Sequence, residues 1–178
     1  MAGGIQPGVV ATSIQSAAAE KDHNLIVEQV AKTFPRVELR KSIDIVDICK
    51  MNNPEYKPEY CFRKDGTSSK WFSDGGFIFI DGVLKGVAEC KYQAARANAC
   101  ERAGKYPAWI KPVPAERTFI TCHGEGFVKK LGGGSTGAMI DAARSAGSTV
   151  LENPTLDEQA EAFRIFLQKL IEVPALDS

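Results

Sequence analysis

Trp71-Phe-Ser-Asp-Gly-Gly-Phe-Ile-Phe-Ile-Asp-Gly-Val-Leu-Lys-Gly-Val-Ala-Glu-Cys-Lys91 is the stretch that decides the fold of this chain. Two runs rich in aromatic and β-branched residues flank Asp81-Gly82, a dipeptide that strongly favours a tight hairpin turn. In the first run Phe77 and Phe79 point one way and Ile78 and Ile80 the other. Both faces of that strand are apolar, as expected of a strand covered by helices on both sides. A symmetric turn at Asp81-Gly82 sets Asp74 directly across from Glu89, with Cβ atoms about 4.5–5.5 Å apart on one face. Lys91 lies two residues beyond Glu89 and shares that face, because strand side chains alternate.

Two carboxylates facing each other beside a buried sheet repel unless something compensates. A divalent cation is the obvious compensator. Mg²⁺ takes oxygen ligands and keeps several waters, so Asp74, Glu89 and the backbone carbonyl of Cys90 form an adequate donor set. Such an ion polarises a phosphodiester and acidifies a bound water, while Lys91 positions or deprotonates that water and offsets charge developing on the phosphorane. The base role requires a lowered lysine pKa. The bland reading of the same residues is a turn aspartate before Gly75-Gly76 and a glutamate at a strand rim. A bulge at Gly75-Gly76 breaks the pairing on which the convergence rests.

Upstream of the hairpin, Ile26, Val30 and Phe34 recur at helical spacing with Val27 and Ala31 beside them. This predicts an amphipathic helix from about Asn24 to Phe34, stopped by Pro35, after a loop-like start over residues 1–15. A weaker helical stretch covers Ile43 to Met51, and Asn52 to Lys70 reads as connection. Downstream, a helix of small residues is predicted from about Ala94 to Lys105, and an interior strand from Arg117 to His123. Gly-rich connections follow at 132–137 and 146–148. Thr155 and Glu158 form a capping box for a last helix carrying Leu156, Ala160, Phe163, Leu167, Leu170 and Ile171, which ends before Pro174. The expected fold is α/β, a mixed central β-sheet flanked by helices in one domain spanning residues 1–178.

Composition narrows the setting. There are 178 residues, 44% of them apolar, enough for a real core, and no apolar run long enough to span a membrane. The five cysteines, Cys49, Cys61, Cys90, Cys100 and Cys122, contain no CxxC pair, which argues against a disulfide framework or zinc site and for the cytoplasm. The N-terminal residues lack the order of a secretory signal. With 22 basic and 22 acidic residues the balance is neutral, so a nucleic-acid partner needs basic groups gathered on one surface. Candidates are Arg96, Arg102, Lys105, Lys111, Lys129, Lys130 and Arg144. The glycines of Leu131-Gly-Gly-Gly-Ser-Thr-Gly137 lack the Gly-Lys-Ser/Thr ending of a phosphate loop and read as a loop. His23 and His123 have no partner at metal-ligand spacing and read as structural or surface residues.

In the predicted helix 94–105, Asn98, Glu101 and Arg102 share one face and Lys105 extends it. An amide there reads adenine, an arginine donates to base edges or phosphate, and a glutamate accepts from exocyclic amines. Taken alone, this face reads as an ordinary solvated surface with a Glu–Arg pair.

Three segments together, Ser73-Asp74-Gly75-Gly76, Ala88-Glu89-Cys90-Lys91 and Asn98-Ala99-Cys100-Glu101-Arg102, resemble the EcoRI- and MunI-like restriction endonucleases, a branch of the PD-(D/E)xK nucleases. His23 to Val30 is similar to that family's N-terminal helix, and Thr118 to Gly126 to its next strand and exit turn. The resemblance implies that Asp74 and Glu89 bind Mg²⁺, that Lys91 is the catalytic lysine, and that Asn98, Ala99, Glu101 and Arg102 contact an AATT core in the major groove. It implies a restriction-endonuclease-like fold and a homodimer that cuts palindromic double-stranded DNA to leave 5′ overhangs. Arg96 is placed to grip an outer guanine, and Arg144 is a candidate for outer contacts. The chain departs from the pattern in two places. Ser73 stands where the broader motif has proline, and only Tyr92 to Ala97 separate Lys91 from Asn98, where relatives carry a longer arm. A structure-specific or repair nuclease of the same superfamily, and a non-catalytic DNA-binding module, are the competing expectations.

Overall fold

The hairpin turns where its chemistry says it should. Ile80 pairs with Val83 and Phe79 with Leu84 around Asp81 and Gly82, whose φ angles of 51° and 78° suit a two-residue turn between twisted strands. Arg36 clamps the turn from outside by binding the Asp81 carboxylate. The computed structural model describes residues 7–44, 70–94, 113–127 and 135–172. Their strands are β1 (Val37–Asp44), β2 (Lys70–Ile80), β3 (Val83–Tyr92), β4 (Thr118–His123) and β5 (Thr149–Glu152), and the helices are α1 (Pro7–Ala31), α2 (Ser135–Ser145) and α3 (Leu156–Glu172).

The strands form one sheet in the order β1-β2-β3-β4-β5. The first three are antiparallel, and β4 and β5 continue parallel to β3. This is the mixed, helix-flanked α/β architecture expected. On one face α1 and α3 bury Val27, Val30, Ile78, Ile80, Ala88, Phe119, Phe163, Phe166 and Leu167 in a common core. Phe119 meets Phe163 edge to face at 4.9 Å and Phe166 at 5.5 Å, and each such ring contributes about 2–3 kcal/mol through burial alone. The opposite face holds two separate clusters. Phe77, Phe79, Leu84 and Val87 pack with Ile43 and Val113, whereas Ile120, Cys122 and Val150 pack under α2 with Phe127 and Ile140. Phe77/Phe79 and Ile78/Ile80 thus serve opposite faces, as their alternation predicts.

Several expectations need correction. Helix α1 begins at Pro7, inside the stretch read as loop-like. A proline suits the first helical position, and the Ala17-Ala-Ala-Glu-Lys21 run favours helix without an apolar stripe to announce it. At its other end α1 stops at Ala31, and Thr33 and Phe34 bond three residues back in a closing turn. Ile43 and Asp44, read as the start of a helix, are the end of β1 paired with Trp71 and Lys70. The glycine-rich segment at 132–137 yields to α2 at Ser135. The capping box of α3 forms as expected, with Thr155 N–H donating to Glu158 at 2.8 Å and Glu158 N–H donating to Thr155 Oγ1 at 3.2 Å. The predicted helix 94–105 lies outside the described residues beyond Ala94. No helix among the described residues is long and apolar enough to cross a membrane.

The symmetric hairpin register fails below Leu84. Ile78 faces Gly86, Phe77 faces Val87 and Gly76 faces Ala88, so Lys85 is an extra residue bulged into β3. The bulge lets Leu84 and Val87 enter the same cluster, which an unbroken strand would forbid. Asp74 is therefore not the direct cross-strand partner of Glu89.

Candidate metal centre

A second bulge restores what the first one removes. Between β1 and β2, Arg40 pairs with Phe77 and Ser42 with Phe72, so residues 73–76 stand opposite Lys41 alone. Gly76 takes φ 107°, a backbone state that a side chain would strain. Ser73 closes the bulge from within: its buried hydroxyl donates to the Ala88 carbonyl and accepts from the Gly76 N–H at 3.1 Å. Asp74, carried on this loop of strand, swings to the side on which β3 presents Glu89 and Lys91. There the Lys91 ammonium donates to Asp74 Oδ2 at 2.9 Å and to Glu89 Oε2 at 3.2 Å.

These three residues meet at the carboxyl end of β3, where it runs beside the parallel strand β4. Glu89 is in register with Ile120 and Lys91 with Cys122. The Glu89 side chain keeps only 14% of its exposure, while Lys91 and Asp74 keep 27% and 30%. One carboxylate is thus walled in and the other two groups remain within reach of a solute. Burial, resisted by Lys91 and reinforced by Asp74, raises the Glu89 carboxyl to about 7. Burial pulls the Lys91 ammonium the other way, but Glu89 and Asp74 outweigh it and its pKa is raised. The direction is opposite to the lowered pKa that a general-base role requires. The Cys90 thiol points to the helical face, bonds Thr121 and is pushed up to about 12 by burial. The Cys90 backbone carbonyl is the group that the sequence offers to the candidate site.

The donor set fits Mg²⁺. Both carboxylates lie within hydrogen-bond reach of one nitrogen. Among the described residues no group of three or more His, Cys, Asp or Glu side chains gathers for a metal. Two carboxylates, completed by waters and substrate oxygens, are what this hard cation ordinarily uses, whereas calcium or zinc needs a fuller protein cage.

Beneath the bulge lies a support that spacing in the sequence did not reveal. His23 of α1 is fully buried. Its Nδ1 is 2.8 Å from Thr121 Oγ1 and 3.1 Å from Gln159 Nε2, and the same Gln159 amide donates to the His23 carbonyl at 3.2 Å. Burial lowers its pKa to about 3, so the ring is neutral. Its Nε2 abuts Gly75, where a Cβ would lie 2.5 Å from that nitrogen, 2.7 Å from Ala88 Cβ and 2.8 Å from the Ala88 carbonyl. On the solvent side Lys41 donates to the Asp74 backbone carbonyl at 2.7 Å. Ser73 was visible in the sequence as a departure from the proline of the motif, but its bonding role was not; Lys41 carried no signal.

Arg144 is committed within the chain. Its guanidinium donates twice to the Val150 carbonyl, at 3.1 and 2.8 Å, and to Glu152 at 2.8 Å, tying α2 to β5. The structure thus gives Arg144 a local role, with its side chain 39% exposed. Arg96, Asn98, Ala99, Glu101, Arg102 and Lys105 lie outside the described residues. Comparison with family models, with curated proteins and with solved structures finds no match to this chain.

Proposed function

We propose that the chain is a Mg²⁺-dependent DNA endonuclease of the restriction type, with a restriction-endonuclease-like fold and its active centre at Asp74, Glu89 and Lys91. The observation that carries the reading is the meeting of two carboxylates and one ammonium at the end of β3, where a bulge in β2 carries Asp74. Asp74 and Glu89 would hold the metal, together with the Cys90 carbonyl. Bound there, Mg²⁺ supplies charge neutralisation at a phosphodiester and a more acidic water. Lys91, freed from bridging the two carboxylates, turns its ammonium to the phosphate oxygens and to the attacking water, and balances charge as it builds on the phosphorus. Glu89, buried on one side, fixes the direction from which phosphate approaches.

Sequence reading falls to the segment 98–102. Asn98, Ala99, Glu101 and Arg102 contact an AATT core, Arg96 an outer base pair and Lys105 the backbone, in a homodimer whose two-fold axis matches that of the palindrome. Such an enzyme works on intracellular duplex DNA in the cytoplasm. Digestion of a plasmid of known sequence in Mg²⁺, followed by sequencing of the cut ends, tests the whole reading at once. Discrete fragments with 5′ overhangs over AATT support it. Cutting only at junctions or flaps assigns a repair nuclease, and binding without cutting assigns a DNA-binding module. Replacing Asn98 or Arg102 by alanine should each cost about 1–3 kcal/mol of discrimination between cognate and altered sites.

A further inference from the structure

The bulge that aims Asp74 is held from outside by one side chain. Lys41 is the only β1 residue opposite the four residues 73–76, and its ammonium donates to the Asp74 backbone carbonyl at 2.7 Å. The same ammonium is anchored on α1, donating to Asn24 Oδ1 at 2.9 Å and pairing with Glu28 at 3.6 Å. One helical turn of α1 therefore reaches the bulge at two points. Lys41 links Asn24 and Glu28 to the carbonyl of Asp74, and His23 fills the space beneath Gly75.

We infer that Lys41 is a positioning residue for the metal centre, which acts by fixing the backbone of Asp74 against α1 so that its carboxylate faces Glu89. The inference rests on the reading of Asp74 as a metal ligand. A charged donor on a carbonyl is stronger than a neutral one, and in a bulge with few ladder bonds it replaces the restraint that a regular strand would supply. Lys41 meets the site at the Asp74 main-chain carbonyl, so its influence runs through the backbone.

The sign of the effect separates this role from simple electrostatics. A lysine near a cation site repels the cation, so deleting its charge should tighten metal binding if charge were all that mattered. A positioning role predicts the reverse. Mn²⁺ is the probe, titrated into the full chain and followed by the loss of its free electron-paramagnetic-resonance signal. Lys41→Met should weaken Mn²⁺ binding about tenfold, the scale typical of residues that orient a ligand. Lys41→Arg, which keeps a donor of similar reach, should recover most of the affinity. The exposed position makes both variants compatible with folding, which a thermal melt verifies. Unchanged or tighter binding in Lys41→Met overturns the inference, as does an equal loss in both variants. Asp74→Asn separates this from the underlying reading: if it binds Mn²⁺ as the wild type does, the metal site itself is wrong and the inference goes with it.

Discussion

The two ends of the β2–β3 hairpin obey different rules. At the tip, Ile80 and Phe79 pair with Val83 and Leu84 in the register that Asp81-Gly82 dictates. Just past the tip a one-residue slip at Lys85 shifts β3, and at the base four residues of β2 stand opposite a single residue of β1, so that register is lost. The tip follows its turn residues, with Arg36 binding the Asp81 carboxylate from outside. The base is held by residues distant in sequence, with Ser73 bonding Ala88, Lys41 bonding Asp74 and His23 lying under Gly75. Regular pairing builds the scaffold, and departure from it builds the site.

That contrast can be broken by substitution or by acid. The largest single-residue effect should come from acid, through the buried His23 beneath the base. His23 has an unfolded value near 6.5 and a folded value of about 3. The unfolded chain therefore binds a proton that the folded chain refuses between those values, and stability falls as pH drops through that window. At pH 4 the His23 share of stability should lie roughly 3 kcal/mol below its value at pH 7, while Glu89, whose carboxyl is raised to about 7, gains stability as it takes up its proton over the same range. Urea unfolding of the wild type and of His23→Gln at the two pH values isolates the histidine: the variant should gain stability relative to the wild type as pH falls.

Gly75→Ala comes next. A Cβ there collides with His23 and with Ala88, and overpacking of this kind costs about 2–3 kcal/mol. Mn²⁺ affinity should fall with it, because the bulge must move. Ser73→Ala leaves the Ala88 carbonyl and the Gly76 N–H short of a partner in a buried place, a cost of about 1–2 kcal/mol by urea titration. The smallest effect belongs to the tip. Gly82→Ala meets no atom within 4 Å and suffers only from its positive φ, about 1 kcal/mol, with metal affinity untouched. Equal metal-binding losses at Gly75 and Gly82 would erase the distinction between tip and base.

How much could be read from the chain follows the same line. The turn, the apolar faces of β2, the interior strand β4 and the capped helix α3 each carry a local signature, and each stands in the structure. The length of α1 was hidden because its first half has no stripe. Asp74, Glu89 and Lys91 do meet, yet cross-strand pairing is not what brings them together. The sequence showed Gly75-Gly76 as a threat to that pairing, whereas the bulge there is what turns Asp74 toward Glu89. Lys41 and Gln159 had no legible part, since their roles depend on which strand and which helix lie beside the bulge. His23 read as structural, and it is, though its place under the candidate site emerges only in three dimensions.

The central claim is that Asp74, Glu89 and Lys91 form a Mg²⁺-dependent phosphodiesterase site. Its most direct test compares plasmid digestion by the wild type and by Glu89→Gln, with folding of both verified by circular dichroism. Discrete fragments from the wild type in Mg²⁺, none in chelator, and at least about a thousandfold slower cutting by Glu89→Gln are expected, since a metal ion contributes several kcal/mol to such a reaction. Intact plasmid with the folded wild type, or equal digestion by both proteins, would contradict it.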